Sequence, residues 1–291
     1  MHPMTGPRVW RCGSHELVLD VRTLVMGIVN VTPDSFSDGG MFGDDPDAAI
    51  SHGAGLAAQG ADILDVGGES TRPGADPVPE DIELDRVVPV VRGLVRAVDI
   101  PISVDTRKSA VARAALEAGA SIVNDISAAA APGMLDVVRE TGAGLVMMHM
   151  QGQPKTMQAS PTYTDVVTEV RGFLAERIDA AVQAGVPRAR ICVDPGIGFG
   201  KSMEHNLTLL RGIAGFRELR LPVLVGVSRK RFIGELSAAE LPEDRVEGTA
   251  GAVAWCATQG VDLVRVHDVL QMTRVLRVVD ALSRMAPGER A

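Results

Sequence analysis

The chain has 291 residues, 46% hydrophobic and 23% charged, which is apolar mass enough for a large core and a length that fits one α/β barrel or two small domains. Its 29 Lys and Arg against 37 Asp and Glu leave a net charge of −8, which argues against a general nucleic-acid binder but permits an anionic small substrate held by a few local cations. Cys12, Cys192 and Cys256 make neither a disulfide framework nor a zinc spacing. The N-terminus lacks a signal-like apolar stretch and no run of 18 uncharged apolar residues occurs, so a cytoplasmic protein without membrane contact is expected.

Residues 8–20 alternate around a Gly-Ser turn and predict a small β-hairpin, within an N-terminal extension (1–21) ahead of one domain (22–291). Eight short apolar runs follow, at 24–30, 61–68, 101–106, 121–126, 144–150, 191–196, 222–228 and 263–268. Each has the pattern of a strand buried on both faces. Helical periodicity covers 46–59, 80–97, 108–118, 164–184, 203–213, 243–258 and 269–284, with Gly60, Gly119, Gly142, Gly185 and Gly260 placed as C-caps. Strand–helix alternation predicts a parallel sheet with right-handed crossovers, and eight repeats favour a closed (β/α)8 TIM barrel over an open doubly wound sheet.

Nearly every run ends on residues that a core disfavours: Asn30; Asp65 and Glu69; Asp105; Asn124 and Asp125; His149; Asp194; Ser228, Arg229 and Lys230; Arg265, His267 and Asp268. One such residue is an ordinary cap or turn former, and Asp125 and Asp268, which open helices, can be only that. Eight in succession converge on the mouth of a barrel, where active sites of this architecture lie. Asp105, Asn124 and Asp194 would suit a flat heterocycle with adjacent N–H donors. Lys230, Arg72, Arg265 and His267 add cationic donors suited to phosphate or pyrophosphate. Magnesium with few protein ligands fits beside a pyrophosphate, whereas no His/Cys spacing suggests zinc. The loops 30–45 and 67–79 are long and dense in Gly, Pro, Ser and Asp, as lids over a site are. The stretch 194–202 imitates a phosphate-cradling loop, but Pro195 stands where that motif needs glycine.

The segments MGIVNVTPDSFSDGG, DVGGESTRPGA, SVDTRK, VNDIS, MHMQGQPKTMQ, DPGIGFGK, VGVSRKRFIG and RVHDV, in this order between about residues 22 and 282, closely resemble the dihydropteroate synthases. The resemblance implies a (β/α)8 barrel that joins 6-hydroxymethyl-7,8-dihydropterin diphosphate to p-aminobenzoate with Mg2+. It implies that Asp105, Asn124, Asp194 and Lys230 hold the pterin, that Arg265 stacks on it, and that Ile126 and Met148 line the pocket. Asn30 would bind the metal, and Thr71, Arg72, Arg265 and His267 the diphosphate. Phe36, Pro73, Phe199, Ser228 and Lys230 would shape the p-aminobenzoate site, and Gly226 would be a further substrate-binding position. Asp105, Lys230, Arg265, His267 and Asp38 would carry the chemistry, with a homodimer as the expected assembly. The rivals are a methyltetrahydrofolate-dependent methyltransferase, which would share the Asp/Asn cup without needing the arginine loop, and a pterin-binding homologue without activity.

Overall fold

A computed structural model describes residues 8–32 and 45–283. The predicted hairpin is β1 (Val9–Cys12) and β2 (His15–Val18), antiparallel around Gly13, whose φ of 59° suits glycine. Eight parallel strands follow: β3 (Leu24–Asn30), β4 (Ile63–Gly67), β5 (Ile102–Asp105), β6 (Ile122–Asp125), β7 (Gly144–Met148), β8 (Ile191–Asp194), β9 (Leu224–Val225) and β10 (Leu263–Val266). Their order is β8-β7-β6-β5-β4-β3-β10-β9, and a parallel bridge between Val193 and Val223 closes the ring.

The helices are α1 (Pro46–Ala58), α2 (Glu80–Ala97), α3 (Ser109–Glu117), α4 (Met134–Thr141), α5 (Val166–Gln183), α6 (Met203–Arg211), α7 (Arg231–Ser237), α8 (Val246–Thr258) and α9 (Val269–Ser283). The seven periodic stretches all form helices, trimmed by at most three residues at either end. The five glycines named as caps all take positive φ. Periodicity did not single out α4 and α7, of eight and seven residues, because two turns display too little of the 3.6-residue repeat. Between 213 and 219 the chain forms a 3-10 segment rather than extending α6, and Pro242 opens a second such turn before α8. The 222–228 run pairs over only two residues, because its upper half turns away into the loop that carries Lys230.

Alternation divides the core into two. Val25, Val29, Leu64, Val66, Val104 and Val123 face the helices. Leu24, Met26, Ile63, Ile122, Val146, Cys192, Leu224 and Leu263 face inward, where Trp10, Cys12 and Leu19 of the hairpin region join them. The hairpin therefore stoppers the N-terminal end of the barrel. Trp10 Nε1 donates to the Arg190 carbonyl at 2.9 Å, and the Gly13 amide donates to the Gly142 carbonyl at 3.1 Å. Arg8 ties the hairpin to Asp20 and to the buried Asp262, which also accepts from the Val223 amide. All three cysteines are unpaired and buried. Among the described residues no helix is long and apolar enough to cross a membrane.

Removing this stopper has a measurable cost. Trp10→Ala deletes a fully buried indole and should lower the unfolding free energy by roughly 3–5 kcal/mol, read as a reduced urea midpoint with an unchanged slope.

Candidate active site

The polar groups of the mouth lie on the same inward-facing register as the apolar floor. On β4 the sequence Ile63, Asp65, Gly67 points inward; on β5 it is Ser103, Asp105; on β6 Ile122, Asn124; on β10 Leu263, Arg265. Each strand thus begins on the floor and ends in the cup. Register aligns the upper rung: Asn30 pairs with Gly67, Gly67 with Asp105, Asp105 with Asn124, and on the opposite side Met148 pairs with Asp194.

At the centre lies Arg265. Its Nε donates to Asp65 Oδ2 at 2.6 Å and its Nη2 to Asp105 Oδ2 at 2.8 Å. Asp65 Oδ2 also accepts from Asn124 Nδ2 at 2.9 Å, while Asp65 Oδ1 is buried with no hydrogen-bond partner. Burial raises the Asp105 carboxyl to about 7, against the pull of Arg265 and with a push from the Asp65 charge. Across the cup Asp194 Oδ1 accepts from the Gly196 amide at 2.7 Å, and burial raises its carboxyl too.

Lys230 sits above Asp194. Its Nζ donates to the Ile197 carbonyl and lies 4.6 Å from the centre of the Phe199 ring, a cation–π contact. Burial lowers its pKa to about 8, although Asp194 opposes the shift. The 194–202 glycines have a packing role. A Cβ on Gly198 (φ 84°) would stand 2.9 Å from Lys230 Cδ, and one on Gly196 would strike the His149 carbonyl oxygen. The loop can therefore pass directly beneath the one after β7. Lys201, buried, stitches the two together through the Phe199 carbonyl at 2.9 Å and His149 Nδ1 at 3.0 Å, with Tyr163 Oη donating to the Gly200 carbonyl. Burial lowers Lys201 to about 7; burial and then Lys201 lower His149 to about 3. His149 thus serves loop packing instead of the cup.

His267, expected as a cationic donor, is held as a neutral imidazole. Burial first, then Arg229, Arg265, Arg72 and Lys230, lower its pKa to about 3, and Nδ1 shares a 3.0 Å hydrogen bond with the buried Ser228 hydroxyl. Asp125 caps the turn after β6 by accepting from the Ser127 and Ala129 amides, the local role open to it from sequence, whereas the Asp268 side chain pairs with Arg229, 39 residues away, at 2.7 Å instead of acting as a local cap. Ile126 and Met148 are buried beside the cup, and a Cβ on Gly226 would stand 3.8 Å from Lys230 Nζ. Asn30 ends β3, its Oδ1 3.9 Å from where a Gly67 Cβ would be.

The 67–79 loop, expected from composition to be mobile, is tied at both ends. Glu69 accepts from the Val78 amide, Lys108 Nζ donates to Glu69, Glu83 and the Val78 carbonyl, and Gly74 and Asp76 reach Pro154 and Lys155. Thr71 is half-buried, and Arg72 and Pro73 are exposed. Arg72 already has an interaction here and contributes to the His267 shift. Phe36 and Asp38, with most of the 30–45 loop, lie outside the described residues. Asp65 was visible as a strand end, but not as the group that joins Arg265 to Asn124. Lys201 carried no signal as a clamp, because its partners are 50 residues away and in the backbone.

Comparison with known proteins agrees with this geometry. The sequence profile of the family described as "Pterin binding enzyme" matches residues 26–267. The dihydropteroate synthase of Escherichia coli strain K12 is 47% identical over 257 residues, covering 88% of this chain and 90% of that protein. Dihydropteroate synthase from Xanthomonas albilineans with 4-aminobenzoic acid superposes with a TM-score of 0.90 at 49% identity, covering 97% of this chain and 100% of that one. The same enzyme in complex with 7,8-dihydropteroate gives 0.85 at 46%, covering 96% and 100%. A profile match from the first barrel strand to the last, with close identity along nearly the full length of these relatives, makes this chain a member of the pterin binding enzyme family.

Proposed function

We propose that the chain is a dihydropteroate synthase, which condenses 6-hydroxymethyl-7,8-dihydropterin diphosphate with p-aminobenzoate to give 7,8-dihydropteroate and pyrophosphate. The observation that carries this is the largely buried cup in which Asp105, Asn124 and Asp194 present acceptors around Arg265, beneath a rim of Lys230 and Phe199. Relatives bound to 4-aminobenzoic acid and to 7,8-dihydropteroate support both substrate classes. The cup alone would also suit a pterin-dependent methyltransferase. The added cations, Arg72 near His267 and Lys230 over Phe199, favour a diphosphate-bearing substrate instead.

The chemistry is a substitution at the pterin methylene. The carbon–oxygen bond to the diphosphate breaks and its electron pair leaves with the anion. The electron-rich ring delocalises the resulting cation, so an ionising, SN1-like path is favoured. The aniline nitrogen then forms the new carbon–nitrogen bond and loses a proton to the departed pyrophosphate or to water. Asp105 and Asp194 stabilise the cation from below, with Asp38 assigned the same task, while Arg72, Arg265 and His267 face the departing anion. Phe199, Pro73 and Ser228 shape the p-aminobenzoate end. A neutral aniline is nucleophilic enough to need no strong base.

The donor set fits Mg2+. Asn30 offers one neutral oxygen at the mouth, and among the described residues no cluster of three His, Cys, Asp or Glu forms a protein cage. A metal held there would take its other ligands from diphosphate and water, and would neutralise the leaving group. A cytoplasmic homodimer completes the proposal. Unpaired cysteines support the compartment, and the half-exposed Trp255 on α8, beside the exposed Leu236, supports a self-association face in the last third of the chain.

Three outcomes are expected. Asp194→Ala leaves a heterocycle N–H unpaired in a buried pocket and should weaken pterin binding about 5- to 150-fold by calorimetry, a loss of roughly 1–3 kcal/mol. Pterin N–H donors favour the Asp105 carboxylate, so its pKa should fall from about 7 on binding. Affinity should then be flat above pH 7 and fall by up to about tenfold per unit below it. Titrations at pH 6 in buffers of different ionisation enthalpy should register the released proton. Finally, EDTA should suppress dihydropteroate formation and Mg2+ restore it, with Asn30→Ala shifting the restoring concentration upward.

A further inference from the structure

We infer that Asp65 is a positioning residue that sets the donor–acceptor polarity of the cup, and with it the selectivity for a 2-amino-4-oxo ring over a 2,4-dioxo ring. The inference deepens the dihydropteroate synthase reading and rests on it.

Asp65 is fully buried, at the one level of β4 where an inward side chain meets the others; Gly67 above it has none. One oxygen does two jobs. Asp65 Oδ2 accepts from Asn124 Nδ2 at 2.9 Å and from Arg265 Nε at 2.6 Å. The two ends of an asparagine amide have nearly the same shape, so packing alone hardly distinguishes them. The carboxylate does: turning Asn124 Oδ1 toward it would set lone pairs against lone pairs. Asp65 therefore commits Nδ2 downward and leaves Oδ1, an acceptor, for a ligand. It also holds the guanidinium at a second corner. With Nη2 on Asp105 and Nε on Asp65, the plane of Arg265 is fixed across the barrel, and its donors are kept from swinging into the ligand's edge.

The other oxygen, Oδ1, has no partner. Keeping a buried carboxylate with an unpaired oxygen is costly, and an apolar residue would serve a floor better. The inward residue two steps below on the same strand, Ile63, is of that kind. Arranging its neighbours is the role that this cost leaves for Asp65.

The cup that results offers acceptors from Asp105, Asn124 and Asp194. It matches a ring edge that carries an exocyclic amine and ring N–H groups. A 2,4-dioxo ring places a carbonyl oxygen where the amine stood and meets acceptor with acceptor. Without Asp65 the Asn124 amide can flip and offer Nδ2, and the discrimination falls.

The test is calorimetry of 6-hydroxymethylpterin and its 2,4-dioxo counterpart on the full chain. Wild type should prefer the amino ring by about a hundredfold or more, as expected where an unpaired buried polar group rejects the wrong ligand. Asp65→Asn should cut that ratio at least tenfold, with the KM for p-aminobenzoate changed less than twofold. In Asn124→Ala, adding Asp65→Asn should lower the ratio much less than it does in wild type. Asp65→Ser, which leaves room for a water, carries the same measurements if the asparagine variant does not fold. Equal weakening of both ligands, or an unchanged ratio, would overturn the role given to Asp65. A wild-type protein that binds neither ring and forms no dihydropteroate would instead overturn the function on which it rests.

Discussion

A buried guanidinium shared by two carboxylates is the interaction on which this site depends. Arg265 reaches across the barrel from β10 to Asp65 on β4 and Asp105 on β5. Isolated, each of these charges would be prohibitively expensive in an apolar interior. Paired, they make a dry polar layer possible directly above an aliphatic floor. The layer remains unsatisfied in part, with an orphaned oxygen on Asp65 and carboxyls raised at Asp105 and Asp194. Those deficits are what a complementary heterocycle would fill.

The scaffold keeps that layer both buried and fixed. The hairpin stoppers the opposite end with Trp10, so the interior below the charges holds side chains. On the mouth side, glycines at 196 and 198 let the loop after β8 run under the loop after β7, and buried Lys201 clips them together. The same loop carries Phe199 and the Ile197 carbonyl, the two groups that hold Lys230. Loop packing and the position of the rim cation are therefore one problem with one solution.

Burial sets the electrostatics of the site. Burial raises the acids and lowers the bases, so His267 is neutral and Lys230 and Lys201 titrate far below an exposed lysine. An anionic group at the rim would favour charge on Lys230 and His267, and N–H donors under the ring would favour it on Asp105 and Asp194.

The barrel was legible in the chain because strand and helix periods are local properties: eight double-faced apolar runs and seven amphipathic stretches leave few other topologies. The polar residues of the mouth were legible for the same reason, since period-2 alternation carries Asp105, Asn124 and Arg265 inward from the same faces as Ser103, Ile122 and Leu263. Short elements such as α4 and α7 escaped because two turns do not display a period. The charge state of His267, the tethering of the 67–79 loop through Lys108, and the joining of Arg265 to Asn124 through Asp65 were decided only in three dimensions. Each depends on groups tens to hundreds of residues apart meeting in a space from which water is excluded, and no local pattern encodes either the meeting or the dielectric.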